Sequence, residues 1–158
     1  PFPLKSWTAG ELEKMPTYYI MDRNEGMAET VAKEMPSASE IAANKWLPEN
    51  ELAVYAQEYG RNGFQGGLQW YRCNTSGANT AELQLFSGRT IDVPSCFIAG
   101  KSDWGIYQRP GGDMIKMQKD AVTNMLGCHL VEGAGHWVQQ EQPEKVSDLL
   151  VDFLKQQA

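Results

Sequence analysis

Gly133-Ala134-Gly135-His136-Trp137 is the stretch that decides the fold of this 158-residue chain. Glycines allow tight backbone conformations, which present an imidazole at a cleft rather than in a core. Pro143 follows, and apolar residues at helical spacing continue to Leu154. Proline is favoured at the first position of a helix, so the pattern predicts a histidine at a strand end, followed by a closing amphipathic helix.

The segment Val93–Asp103 has a related organisation. Its residues 96–99 form a continuous apolar run, which is typical of a buried parallel strand, and Asp103 follows just past the strand end. Sites in open α/β sheets form at the carboxyl ends of strands, so we expect Asp103 beside His136. The carboxylate would fix the imidazole tautomer and stabilise the imidazolium. An acid followed by a histidine near the C-terminus resembles the order nucleophile, acid, histidine of α/β-hydrolases.

The composition and net charge argue against several classes of binding partner and against a membrane-spanning segment. The net charge of −6 argues against nucleic acid or an anionic membrane as the main partner. No run of apolar residues is long enough to span a membrane. Residues 1–5 lack the apolar run and cleavage site of a signal peptide, so a cytoplasmic protein is expected.

Cysteine and the second histidine are expected to be structural. Cys73, Cys96 and Cys128 are few and odd in number, and the last two fall in predicted strands, where cysteine behaves as a small hydrophobe. Cys128 and His129 are adjacent, but no second ligand cluster has zinc spacing. We therefore expect buried thiols, a structural His129 and no metal.

The sequence changes character near residues 87–89, which suggests a helical lid over 1–88 and the C-terminal part of an α/β core over 89–158. Before the change, broken helical patterns predict short helices, and after it strands alternate with helices. Two parallel strands do not form a stable sheet alone, so further strands are expected from elsewhere. The predicted elements are helices over 22–35, 37–46 and 51–59, a turn over 60–64, a helix from 66 through 72, a strand over 96–99, a helix over 113–126, a strand over 129–131 and a helix from 143.

Residues Gly63–Arg72 carry a resemblance to a known family. Their sequence, Gly-Phe-Gln-Gly-Gly-Leu-Gln-Trp-Tyr-Arg, is similar to the lid motif Gly-Phe-x-Gly-x-Leu-Asn-Trp-Tyr-Arg of the α/β-hydrolase-fold epoxide hydrolases. Gln69 departs from the usual Asn. The resemblance implies that Tyr71 hydrogen-bonds the epoxide oxygen. The family's second lid tyrosine lies a short interval before a Gly-x-Ala-Glu segment, similar to Gly26–Glu29, which leads back to Tyr18, with the adjacent Tyr19 left open.

Tyrosine suits this chemistry because a phenol, with an unperturbed pKa near about 10, stays protonated at neutral pH and can donate to a developing alkoxide. The resemblance implies hydrolysis of a small apolar epoxide to a vicinal diol through a covalent ester, without cofactor or metal. His136, oriented by Asp103, would activate the water. The further side chains expected at the substrate are Tyr19, Trp70, Trp104 and Trp137.

The family's nucleophile has no counterpart in this sequence. Neither the His-Gly-x-Pro oxyanion segment nor a Gly-x-Ser-x-Gly or Gly-x-Asp-x-Gly elbow occurs. An acid–histidine pair without a nucleophile cannot run the two-step mechanism, so we expect an N-terminal half, carried by another chain or a removed segment, to complete the fold.

Two other functions stay open. A haloalkane or haloacetate dehalogenase, or an esterase, would share the acid–histidine pair, and dehalogenases hold halide with lid donors, for which Trp46, Trp70 and Trp104 are candidates. The chain could also be a non-catalytic binding remnant. The identity of the nucleophile would separate these, since Asp supports epoxide or halide chemistry and Ser supports esters.

Overall fold

The fold is known from a computed structural model that describes residues 5–17, 19–107 and 114–157. The chain divides into two compact units. One comprises Pro1–Trp46 with Ile91–Ala158, and the other is Leu47–Thr90. The assignment of 1–88 to a lid and 89–158 to a core stays a prediction.

Short helices precede a small α/β arrangement along the chain. A 3-10 turn, Trp104–Ile106, follows the first strand. The helices and strands are α1 Ala9–Leu12, α2 Met27–Ala32, α3 Ala38–Ala43, α4 Glu49–Asn62, α5 Gln65–Ser76, α6 Thr80–Gln84, β1 Ser95–Gly100, α7 Met114–Ala121, β2 Met125–Val131, α8 Val138–Glu141 and α9 Pro143–Lys155.

Strands β1 and β2 form a parallel pair, as the alternation of strand and helix predicted. The register runs from Cys96 opposite Gly127 to Gly100 opposite Val131. Both strands therefore end at the same edge of the sheet, where the two candidate site loops begin. In the part of the chain that the structure describes, each strand has a neighbour on one side only.

The core of the larger unit lies where α8 and α9 pack on the sheet. Its cluster joins Val131 at the end of β2 to Val138 of α8 and Val146 of α9, around the nearly inaccessible Ala134. Ile98 and Leu149 pack against this cluster. Helix α9 begins with Pro143 at its first turn, as expected for proline, and carries the predicted apolar stripe. Residues 132–137, which join β2 to α8, form the histidine loop, and the burial of Ala134 fixes the start of this loop to the core.

The unit Leu47–Thr90 leaves its apolar side chains exposed. None of its residues is buried. A stacked pair, Tyr59 and Phe64, has ring centroids 4.5 Å apart. Apolar surface of this extent on a soluble protein normally marks a place where another surface packs. The large exposed apolar side chains of this unit are Leu52, Val54, Tyr55, Tyr59, Phe64, Leu68, Trp70, Tyr71, Leu83, Leu85 and Phe86.

Several predicted element boundaries are wrong. Helix α7 ends at Ala121 instead of 126, because Thr123 donates its N–H to the Ile91 carbonyl, at 2.9 Å, and β2 then begins at Met125 instead of 129. Helix α4 continues through the predicted turn to Asn62 and ends at Gly63, whose φ of 68° favours glycine. Helix α2 is shorter than the predicted 22–35.

None of the helices in the described residues combines the length and hydropathy that a membrane span requires. The cytoplasmic location stays a prediction.

Candidate active site

Asp103 lies just past the end of β1 and begins the 3-10 turn. Its Oδ1 accepts a hydrogen bond from the Gly105 N–H at 2.7 Å, and its side chain is only 12% exposed. The buried Ile106 anchors the same turn. The Gly105 N–H therefore holds the Asp103 carboxylate in place independently of any contact with another side chain.

His136 lies past the end of β2 and meets Asp103. The imidazole Nδ1 is 3.2 Å from Asp103 Oδ1 and 3.3 Å from Oδ2. The histidine side chain is 63% exposed. The structure thus brings together the acid and the histidine that the sequence singled out, at the carboxyl ends of two neighbouring parallel strands.

A close backbone contact holds the histidine loop against β1. A Cβ atom on Gly100 would lie 2.1 Å from the Gly135 carbonyl oxygen and 2.5 Å from that of Ala134. The Ser102 N–H donates to the Ala134 carbonyl at 2.9 Å, and the Lys101 N–H donates to Val131 at the same distance. Only glycine leaves room for the loop at this position.

Glu141, which the sequence analysis overlooked, contacts the histidine loop on both sides of His136. Its Oε2 accepts the Gly135 N–H at 2.8 Å, and its Oε1 accepts the Trp137 N–H at 3.0 Å. The signal that could have found it is a single carboxylate among glutamines, in the run 139–142, directly after the histidine loop.

The acid–histidine pair has the arrangement of a general base. When Asp103 accepts the proton on Nδ1, the imidazole keeps a free electron pair on Nε2, and that nitrogen can take a proton from water. Nothing in this chemistry requires a metal ion. Among the described residues, no group of three or more His, Cys, Asp and Glu side chains is placed to hold one.

The aromatic residues predicted to contact substrate lie in different parts of the chain. Trp104 follows Asp103 and is half-buried, and the Trp137 ring lies edge-on to the His136 ring, with centroids 5.5 Å apart. Tyr71 and Trp70 lie on α5, in the unit Leu47–Thr90, and are 68% and 80% exposed.

Tyr19 is exposed, and Tyr18 lies outside the described residues. Trp46, the candidate for halide binding, is half-buried and lines a shallow pocket with residues 140–144.

The three thiols are less buried than the sequence predicted. Cys96 and Cys128 are half-buried on β1 and β2, whereas Cys73 is exposed. Burial, with a smaller contribution from Cys128, raises the pKa of the Cys96 thiol, which disfavours its thiolate. His129 is half-buried on β2, opposite Ile98.

The curated proteins that this chain resembles are epoxide hydrolases. No family model matches the chain. Epoxide hydrolase A of Mycobacterium tuberculosis is 39% identical over 112 residues, which cover 69% of this chain and 32% of the relative. Epoxide hydrolase 1 of Siraitia grosvenorii is 32% identical over 126 residues, 75% of this chain and 38% of the relative. The chain thus spans about a third of the length of these curated relatives.

Solved structures give the same result. The structure of epoxide hydrolase I from potato, Solanum tuberosum, matches 78% of this chain and 39% of its own, with a TM-score of 0.66 and 30% sequence identity.

Proposed function

The chain belongs to the epoxide hydrolases of the α/β-hydrolase fold, and from that premise we propose that it supplies the acid–histidine pair and the lid tyrosines of an enzyme that converts epoxides to vicinal diols. The observation that carries the proposal is the hydrogen bond between Asp103 and His136. That bond requires two loops, from two strands, to meet at one edge of the sheet.

The first step of the proposed reaction opens the epoxide ring. A carboxylate from the N-terminal half attacks a ring carbon, and the ring C–O bond breaks. The oxygen takes a proton from a lid phenol, for which we propose Tyr71 together with Tyr18 or the adjacent Tyr19. The product is an ester between the carboxylate and the substrate, which now carries a hydroxyl group.

The second step hydrolyses the ester. His136 Nε2 removes a proton from water, and the resulting hydroxide attacks the ester carbonyl carbon. The bond between the carbonyl carbon and the diol oxygen then breaks, and the diol oxygen takes the proton that arrived with the hydroxide, which restores the ionised carboxylate. The proton on His136 then restores the tyrosine through solvent, so the net reaction adds one water to one epoxide. Asp103 stabilises the imidazolium that forms during this step.

The partner in this proposal is an N-terminal half of the same fold, which carries the nucleophile. Two features of the chain support it. Strands with one neighbour each leave backbone groups for further pairing. The helices of Leu47–Thr90 also expose apolar side chains of the kind that a partner surface covers. The substrate class proposed is a small apolar epoxide.

The Tyr71→Phe variant tests the proposed function in the enzyme completed by its N-terminal half. The substitution keeps the ring and removes only the hydroxyl group. Losing one of two donors to a developing alkoxide should slow ring opening by about ten- to a thousandfold. Ester hydrolysis by His136 should be nearly unchanged. Single-turnover kinetics on an epoxide, with the ester intermediate quantified, separate the two steps.

An aryl ester and a haloacetate are the control substrates, since neither reaction should depend strongly on this hydroxyl. If the wild type and Tyr71→Phe open the epoxide ring at equal rates, Tyr71 does not donate the proton in the first step. Turnover of the aryl ester or the haloacetate, without turnover of any epoxide, would assign the site to an esterase or a dehalogenase. Absence of turnover on all three would support a non-catalytic role.

A further inference from the structure

We propose that Glu141 is a positioning residue for His136, an inference that rests on the proposed function. Its carboxylate holds the backbone from which the imidazole extends. Asp103 fixes the ring and its tautomer, so the two carboxylates act on different parts of the same residue.

The geometry of the two bonds supports this division. Glu141 accepts the N–H of Gly135 with one oxygen and the N–H of Trp137 with the other, at 2.8 and 3.0 Å. These are the residues immediately before and after His136. A single side chain therefore bridges backbone N–H groups of the residues on both sides of the proposed base.

The chemistry of the side chain explains why a carboxylate is needed. Both backbone partners are donors, and a carboxylate is an acceptor at both oxygens, whereas a glutamine amide offers one acceptor and one donor group. Bonds from N–H groups to an ionised carboxylate are also stronger than neutral ones. The neighbouring Gln142 instead faces an acceptor, the Gly133 carbonyl, to which its amide donates at 3.3 Å.

The exposure of His136 makes such a restraint important. The imidazole is 63% exposed, so packing around the ring does little to hold it. The loop is instead restrained at Gly133 by Gln142, at Ala134 by the core and the Ser102 N–H, and at Gly135 and Trp137 by Glu141. Without the Glu141 side chain, the N–H groups of Gly135 and Trp137 lose the acceptor that α8 provides for them.

The test uses Glu141→Gln and Glu141→Ala in the enzyme completed by its N-terminal half. Glu144→Gln, an exposed site in the first turn of α9, is the matched control. Misplacing a catalytic group by about 1 Å can cost roughly a hundredfold. We expect Glu141→Ala to slow ester hydrolysis by about ten- to a hundredfold, with Glu141→Gln between it and the wild type. Ring opening should keep its wild-type rate, so the ester should accumulate.

Amide hydrogen exchange provides a second measurement, which does not depend on activity. The Gly135 and Trp137 amides should exchange faster in Glu141→Ala than in the control. Faster exchange with an unchanged ester-hydrolysis rate would overturn the positioning role. An equal slowing of ring opening and ester hydrolysis, with a lower melting temperature, would also overturn it, because that pattern indicates general destabilisation. If the wild-type enzyme forms no ester with any epoxide, it is the proposed function that fails.

Discussion

At the scale of single residues, Asp103 and His136 have different environments although they are bonded to each other. The carboxylate is largely shielded and also accepts the Gly105 N–H, whereas the imidazole is mostly exposed. The acid is therefore the fixed member of the pair: both of its oxygens face His136 Nδ1, and Oδ1 also accepts the Gly105 N–H. A substitution that keeps the shape of the Asp103 side chain should therefore act by changing its bonds to the Gly105 N–H and His136 Nδ1.

Asp103→Asn should slow ester hydrolysis and leave ring opening unchanged. The Asn carbonyl oxygen would keep the Gly105 N–H at the Oδ1 position, which leaves the NH₂ group at the Oδ2 position, 3.3 Å from His136 Nδ1. The imidazole would then carry its proton on Nε2, where it cannot accept one from water. Loss of the correct tautomer in an acid–histidine pair costs about 10⁴-fold in a related arrangement, and we expect roughly 10²- to 10⁴-fold here.

Rapid-quench kinetics on an epoxide, with Asp92→Asn as an exposed control, measure the two steps separately. A wild-type rate of ester hydrolysis in Asp103→Asn would show that the observed hydrogen bond has no role in the second step.

Asp103 and His136 could be predicted from the sequence, but Glu141 could not. Each member of the pair follows an apolar strand and glycine, so the strand pattern alone places it at the sheet edge. The contacts of Glu141 depend on the directions of two backbone N–H groups in a tight loop, which no periodicity encodes. A glutamate in a short polar helix otherwise resembles an ordinary solvent-exposed residue.

At the scale of elements, the end of β1 and the histidine loop make a close backbone contact at Gly100. Both of the atoms that a Cβ would meet belong to the backbone, so they cannot rotate away as a side chain could. The position of the histidine loop therefore depends on the missing side chain at one residue of the neighbouring strand.

Gly100→Ala should destabilise the protein and displace the histidine loop. Overpacking of a tight site costs about 1–3 kcal/mol, and the shift should also reduce ester hydrolysis. Gly60→Ala is the matched control, since a Cβ there meets nothing within 4 Å and the residue lies inside α4. Alanine is favoured over glycine in a helix by about 1 kcal/mol, so this variant should be neutral or slightly stabilised.

Chemical denaturation of both variants gives the free energies of unfolding. Equal stability of Gly100→Ala and the wild type would contradict the close approach.

Whether a segment forms a helix or a strand could be predicted better than the residues at which it begins and ends. The apolar run 96–99 indicated β1 because buried parallel strands are continuously apolar. The end of α7 was missed because pairing of residues 122–123 with Ile91, a contact distant in sequence, ends the helix. Gly60 suggested a turn, but one glycine costs little in a 14-residue helix, which continues to Gly63.

At the scale of the whole molecule, the chain carries the proposed acid–histidine pair at the edge of a sheet with two described strands. It covers about a third of its curated relatives, and its two strands form the described sheet. A two-stranded sheet is marginal by itself. We therefore propose that this chain supplies the second step of a reaction whose first step uses a nucleophile on an N-terminal half.

The most direct measurement is intact mass spectrometry of the His136→Ala variant, completed by the N-terminal half and incubated with an epoxide. Ring opening should proceed and ester hydrolysis should stop, so an adduct with the full mass of the epoxide should accumulate. Peptide mapping should place it on a carboxylate of the N-terminal half and leave residues 1–158 unmodified. An adduct on this chain, or continued turnover of the epoxide by His136→Ala, would show that His136 does not perform the second step with a nucleophile on the N-terminal half.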